Sequence, residues 1–143
     1  MPLIVKQPGK TPYLSGVTAQ ETMLGIVDVT IRVAAYEEAG EHWKRVLSGP
    51  RHGGYGRIFI QRYGINRRRY LNCYDWRGMY RGQPANIDEC PGAMFIWQGK
   101  KEASTEPVFA HNNQRLGRDM GWALRPFQQT GETDFWEVRF KFV

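Results

Sequence analysis

The stretch from Glu37 to Tyr80 constrains this fold more than any other, because it sets an amphipathic helix directly ahead of two strand-like runs. Glu37 to Leu47 carries Trp43, Val46 and Leu47 at spacings of three and four, the period of a helix with one apolar side. Ser48-Gly49-Pro50 ends it, since glycine suits the cap and proline cannot continue the helix. Gly56 to Arg62 and Arg67 to Trp76 then read as strands joined through Tyr63-Gly64-Ile65-Asn66, a hairpin. Ile58, Ile60, Leu71 and Cys73 share one face of that hairpin. Arg57, Phe59, Gln61, Arg68, Tyr70, Asn72 and Tyr74 share the other. The predicted unit is a helix on a hairpin, with Trp43 buried against Ile58, Ile60, Leu71 and Cys73 and a basic, aromatic face outside.

Alternation supplies further strands. Val27, Val29, Ile31, Val33 and Ala35 face one way within Met23 to Ala35, with Gly25 marking a bend near its start. Ala93 to Gln98 is short and apolar and reads as a central strand, and Val108 to Ala110 as a brief one. Trp136, Val138, Phe140 and Phe142 alternate with charged residues and predict a terminal strand within the main sheet. Arg77 to Pro91 reads as an irregular link, and His111 to Gly121 as a surface loop. Residues 1–18, with Pro2, Pro8 and Pro12, read as an extended arm, and 19–143 as a single domain. A chain of 143 residues with 41% hydrophobic and 13% aromatic content has enough apolar surface for a core and does not fit disorder. The expectation is an α+β, β-rich fold: an antiparallel sandwich or small barrel with one flanking helix.

The net charge of +6 is unevenly spread. Between residues 51 and 81 many arginines face a single acid, Asp75. Arg57, Phe59, Arg62, Arg67, Arg68, Tyr70, Tyr74, Arg77 and Arg81 are therefore the contact candidates, either for a subunit interface or for nucleic acid. Arginines hold phosphates and aromatic rings stack bases, so a small RNA- or single-stranded-DNA-binding protein is one reading. Leu3, Ile4 and Val5 form an apolar cluster in the arm, suited either to docking on a neighbouring copy or to adding a terminal strand to the protein's own sheet.

Little in the chain points to catalysis. His42, His52 and His111 are scattered, and His42 is expected on a solvated helix face near Glu38 and Glu41. Asp88-Glu89 reads as part of a loop and is weak as a cation site. Cys73 and Cys90 belong to no metal or redox spacing, and Cys73 is expected to be a free, reduced core thiol. No nucleotide-binding glycine motif, nucleophile elbow or zinc-protease motif occurs. The reading is a protein that is not an enzyme and uses no cofactor or metal. No apolar run approaches membrane-spanning length.

The order of these features carries a resemblance. A strand, a helix with a tryptophan (EHWKRVL), GRIFI, a turn, RRRYLNCYDWRGMY, a loop, AMFIWQ and EPVF follow one another over roughly Met23 to Phe109. In that order the chain resembles the N-terminal domain of distal tail and related minor tail proteins of long-tailed phages. Trp43, Gly56, Ile58, Ile60, Arg69, Tyr70, Leu71 and Cys73 take corresponding places, whereas Gly99-Lys100-Lys101-Glu102 replaces an aromatic turn. The resemblance implies a β-sandwich with a helix on its flank, assembled as a homo-oligomeric ring of a virion made in the host cytoplasm. Its implied partners are other copies, neighbouring virion proteins and transiently DNA.

Overall fold

A computed structural model describes residues 14–128 and 135–143. β1 (Val17–Glu21) and β2 (Ile26–Ile31) form a hairpin in register from Val17 opposite Ile31 to Glu21 opposite Val27. Its turn uses Gly25 at φ 75°, the left-handed region that glycine enters without a Cβ penalty. The predicted alternation holds in β2, where Val27, Val29 and Ile31 are fully buried. The strand is shorter than predicted, because Val33–Ala35 winds into a 3-10 turn that leads into α1 (Glu37–Leu47).

β3 (Ile58–Ile60) follows, then α2 (Ile65–Asn72) and a 3-10 turn at Tyr74–Trp76. The remaining elements are β4 (Ala85–Cys90), β5 (Phe95–Trp97), β6 (Ser104–Phe109), α3 (Ala110–Ala123) and β7 (Trp136–Phe142). Five strands form one sheet in the order β1-β2-β7-β3-β5, and β4 pairs with β6 as a separate antiparallel ribbon. β2 and β7 run parallel while the other pairings are antiparallel. The fold is α+β and β-rich, as expected. Among the described residues the sheet is mixed rather than antiparallel, no barrel closes, and three helices stand where one was expected.

The hairpin at Gly56 to Trp76 does not form. Both edges of β3 are taken by strands distant in sequence, with Ile58 opposite Trp97 on one side and opposite Val138 on the other. With both edges of β3 taken, Arg67–Asn72 cannot pair with it as a hairpin; the segment is helical, and Leu71 is 54% exposed instead of lying in the core. Trp43 is buried as predicted, 4% exposed, but its neighbours differ. It meets Phe95 and Phe140 edge-on, at 6.1 and 5.7 Å between ring centroids, rather than Leu71 and Cys73. AMFIWQ supplies an edge strand, β5, not a central one. The irregular link contains β4, and the expected loop at His111–Gly121 is most of α3. Asn112, Leu116 and Met120 of α3 are buried at intervals of four, and Leu124 continues the series just past its end.

Two helix glycines make opposite predictions. A Cβ on Gly40 of α1 would stand 2.5 Å from the Val33 carbonyl oxygen, whereas a Cβ on Gly117 of α3 meets nothing within 4 Å. Gly40→Ala should lower stability by about 1–3 kcal/mol through overpacking against backbone. Gly117→Ala should raise it by about 0.5–1 kcal/mol by relieving the glycine penalty in a helix interior. Thermal unfolding of the two variants checks the pair; equal shifts of one sign would contradict it.

Candidate binding surface

The sequence of α2, INRRRYLN, has no apolar stripe, and no residue of this helix is buried. A helix of eight residues is not sustained by propensity alone, so its position must come from tethers. Gly64 enters the left-handed region at φ 80° just before it. Arg68 turns inward and donates to the carbonyl oxygens of Ala93 (2.8 Å), Tyr63 (2.6 Å) and Gln61. Burial pulls its guanidinium below the usual range. At the other end Asn72 donates to Glu89 Oε2 at 2.7 Å, and the Trp76 indole N–H donates to Thr105 Oγ1 at 2.9 Å. Burial pushes the Glu89 carboxyl up, while Asn72 and Arg69 hold it down. Polar bonds thus strap the excursion to the β4–β6 ribbon while its large side chains point outward.

Tyr63, Tyr70, Leu71, Tyr74 and Met79 are between 46 and 56% exposed. Tyr70 and Tyr74 meet edge-on with centroids 5.7 Å apart, and the Arg77 guanidinium lies 4.0 Å over the Tyr74 ring. Arg67 and Arg81 are exposed on the same excursion. Of the predicted contact residues, Tyr70, Tyr74 and Arg77 therefore converge, with Arg67 and Arg81 on the same segment. Arg68 does not join them, because its donors hold carbonyl groups. Arg57 and Phe59 belong to a different place: Arg57 Nη2 bonds Glu137 at 2.8 Å, and its guanidinium lies 5.2 Å over the Phe59 ring. Arg62 Nη1 donates to Gln128 Oε1 at 2.6 Å. The single basic sheet face expected from the sequence is thus not formed, and its candidates are dispersed. Leu3, Ile4 and Val5 lie outside the described residues.

His42 is the largest departure from expectation. It is fully buried, not solvated, and it has partners across long sequence separations. Its Nδ1 lies 2.7 Å from Asp88 Oδ2 and its Nε2 lies 2.9 Å from Ser104 Oγ, while the Trp43 indole N–H donates to Asp88 Oδ1 at 3.2 Å. Asp88 belongs to β4, not to a loop, and the ribbon register sets it opposite Glu106 and sets Cys90 opposite Ser104. Burial pushes the Asp88 carboxyl up, and the bonds from His42 and Trp43 hold it down.

The order Asp–His–Ser is that of a serine-nucleophile relay. Glu106 Oε1 also stands 3.5 Å from His42 Nε2, however, so Ser104 shares that nitrogen with an anion, itself paired with Arg45. Asp88 and Trp43 border a cleft of about 450 Å³, but neither His42 nor Ser104 lines it or the cleft of about 950 Å³. The constellation reads as a cross-link that pins α1 between sheet and ribbon.

Both cysteines are free thiols. Burial raises Cys73 to about 11 and pushes Cys90 well up, so neither is a thiolate nucleophile near neutrality. Among the described residues no group of three His, Cys, Asp or Glu side chains could hold a metal ion, and no helix is long and apolar enough to cross a membrane. No protein-family model matches this chain, and no curated protein matches it.

Proposed function

We propose that this protein is a structural subunit of a phage virion, a tail or tail-tip assembly protein that acts as a homo-oligomeric ring. The observation that carries the reading is α2, a helix with no buried residue whose excursion exposes Tyr63, Tyr70, Leu71, Tyr74 and Met79 together. Tyrosine, methionine and arginine are the residues enriched in protein interfaces. The same chain offers a complementary surface. Glu37 and Glu41 are exposed at the start of α1, where Glu38 accepts the Phe109 N–H at one end of the ribbon. Asn72 and Trp76 hold the basic excursion near Glu89 and Thr105, toward the other end. A head-to-tail contact would pair these unlike charges, and heterologous contacts of that kind form rings when the rotation between copies closes. The tail-protein resemblance supports the assignment through Trp43, Gly56, Ile58 and Ile60, whose helix and strand follow in the implied order. Arg69, Tyr70, Leu71 and Cys73, extended in the resemblance, are helical or directly follow α2 here.

One observation favours a second reading, a small RNA- or single-stranded-DNA-binding protein: Arg77 stacked on Tyr74 beside Arg67 and Arg81 offers rings and cations together. Light scattering of the purified protein separates the two. Assembly predicts an oligomer that Tyr70→Ser with Tyr74→Ser reduces to a folded monomer of unchanged melting temperature. Glu37→Lys with Glu41→Lys should dissociate it as well, and adding Arg67→Glu with Arg77→Glu should restore it. A monomer that binds oligonucleotides with affinity falling steeply in salt would replace the assembly reading with the second one.

A further inference from the structure

Among the described residues, no strand pairs with the C-terminal half of β7 on the side away from β2. β7 pairs with β2 over residues 137–142 but with β3 only at Trp136, Glu137 and Val138. Val143 turns both its backbone groups to β2, donating to Ile31 and accepting from Val33. By the alternation of a parallel ladder, Phe140 and Phe142 therefore turn their N–H and C=O groups to the vacant side.

Ahead of β3 the chain leaves the sheet in a turn where Arg51, His52 and Gly53 take φ of 55, 48 and 62° in succession. Non-glycine residues hold that conformation only when their surroundings impose it. Here His52 Nε2 accepts the Phe140 N–H at 3.1 Å. Its proton must then sit on Nδ1, which donates to the Gly56 carbonyl oxygen at 3.2 Å. His52 thereby caps one backbone group of the vacant edge and leaves the rest of it to the cleft.

A cleft of about 950 Å³ occupies the vacancy. β7 presents Phe140 and Phe142 to it on the core side, next to Leu47, and Arg139 and Lys141 on the other side. Glu137 is the one acid in its lining, and it is engaged by Arg57. Asp28 engages Arg139, so Arg51 and Lys141 stand outside every ion pair among the described residues. The slot combines an open backbone edge, an apolar floor and an excess of cations.

We propose that this slot binds an extended peptide segment of alternating apolar and acidic residues, which adds as a strand on the Phe140 carbonyl and both backbone groups of Phe142, beyond the N–H that His52 caps. A strand's period of two sends one set of side chains to Leu47 and Phe142 and the other to Arg51 and Lys141. A nucleic-acid strand would use the cations but has no ladder to offer the free edge. The slot is distinct from the α2 excursion, so its test does not depend on the assembly reading.

Fluorescence anisotropy with the full chain and an acetylated, amidated (Val-Glu)3 peptide provides that test. Saturable binding at micromolar concentration is expected. Arg51→Glu and Lys141→Glu, both at exposed positions, should each weaken it at least tenfold without changing the melting temperature. N-methylation of the peptide backbone should abolish it, and (Val-Lys)3 should not bind. Equal binding of (Val-Lys)3 or of the N-methylated peptide would overturn the proposal. So would the absence of saturable binding by (Val-Glu)3, or binding of oligothymidylate alone.

Discussion

Trp43→Ala is expected to lower the unfolding free energy by about 3–5 kcal/mol, the cost of emptying a large aromatic site in a core. Trp43 is the side chain through which α1 meets two strands at once, edge-on to Phe95 of β5 and to Phe140 of β7. Those two rings also contact each other, at 5.4 Å, so removing the indole opens a gap in a three-ring cluster that its neighbours cannot easily close. The substitution further strips Asp88 of the indole N–H, leaving a buried carboxylate oxygen short of a donor. Trp43→Phe separates the two contributions: it keeps most of the ring volume and should cost about 1–3 kcal/mol, the penalty of the lost hydrogen bond. Urea unfolding reads both values as shifts of the midpoint at constant slope. A Trp43→Ala midpoint within error of the parent would remove α1 from the core altogether.

His42→Ala is expected to cost a comparable amount, about 3–5 kcal/mol, for a different reason. Breaking a buried pair by deleting one partner leaves the other charge uncompensated. Asp88 is 3% exposed, and among the described residues the imidazole is one of only two side-chain donors its carboxylate has, beside the Trp43 indole. Ser104 loses its bond to the same ring and is the smaller part of the loss. Replacing both His42 and Asp88 with alanine should cost less than the sum of the single changes, because the stranded charge is then gone. Strict additivity in that cycle would mean that the two side chains contribute independently and that no cross-link exists.

The elements legible in the sequence are those whose side-chain period survives burial. Val27, Val29 and Ile31 alternate, and β2 has one face in the core; Trp136 to Phe142 alternates likewise, and β7 lies between two partners. Trp43 and Leu47 share the buried side of α1 at a spacing of four. α3 was encoded just as plainly, by Asn112, Leu116, Met120 and Leu124 at intervals of four, but two glycines and a run of polar residues mask that period. Arg67 to Trp76 misleads in the opposite sense. Its alternating arginines, tyrosines and apolar residues match a strand, yet alternation makes a strand only where a neighbour offers an open edge.

Of the candidate contact surface, the sequence alone identified the ingredients: Tyr70, Tyr74 and Arg77, with Arg67 and Arg81 nearby. Local composition determines such a segment, since an excess of arginine and tyrosine over aliphatic residues cannot be buried wherever the chain places it. What only the tertiary structure decided was partnership. β5 and β7 close both edges of β3 and deny the following segment a hairpin with it; Arg68 turns inward to three carbonyls; and His42 finds Asp88 and Ser104 across 46 and 62 residues of chain. Periodicity records which side of an element is apolar. It carries no record of which distant element will stand against that side, because pairing is set by the simultaneous closure of ladders and core across the whole chain.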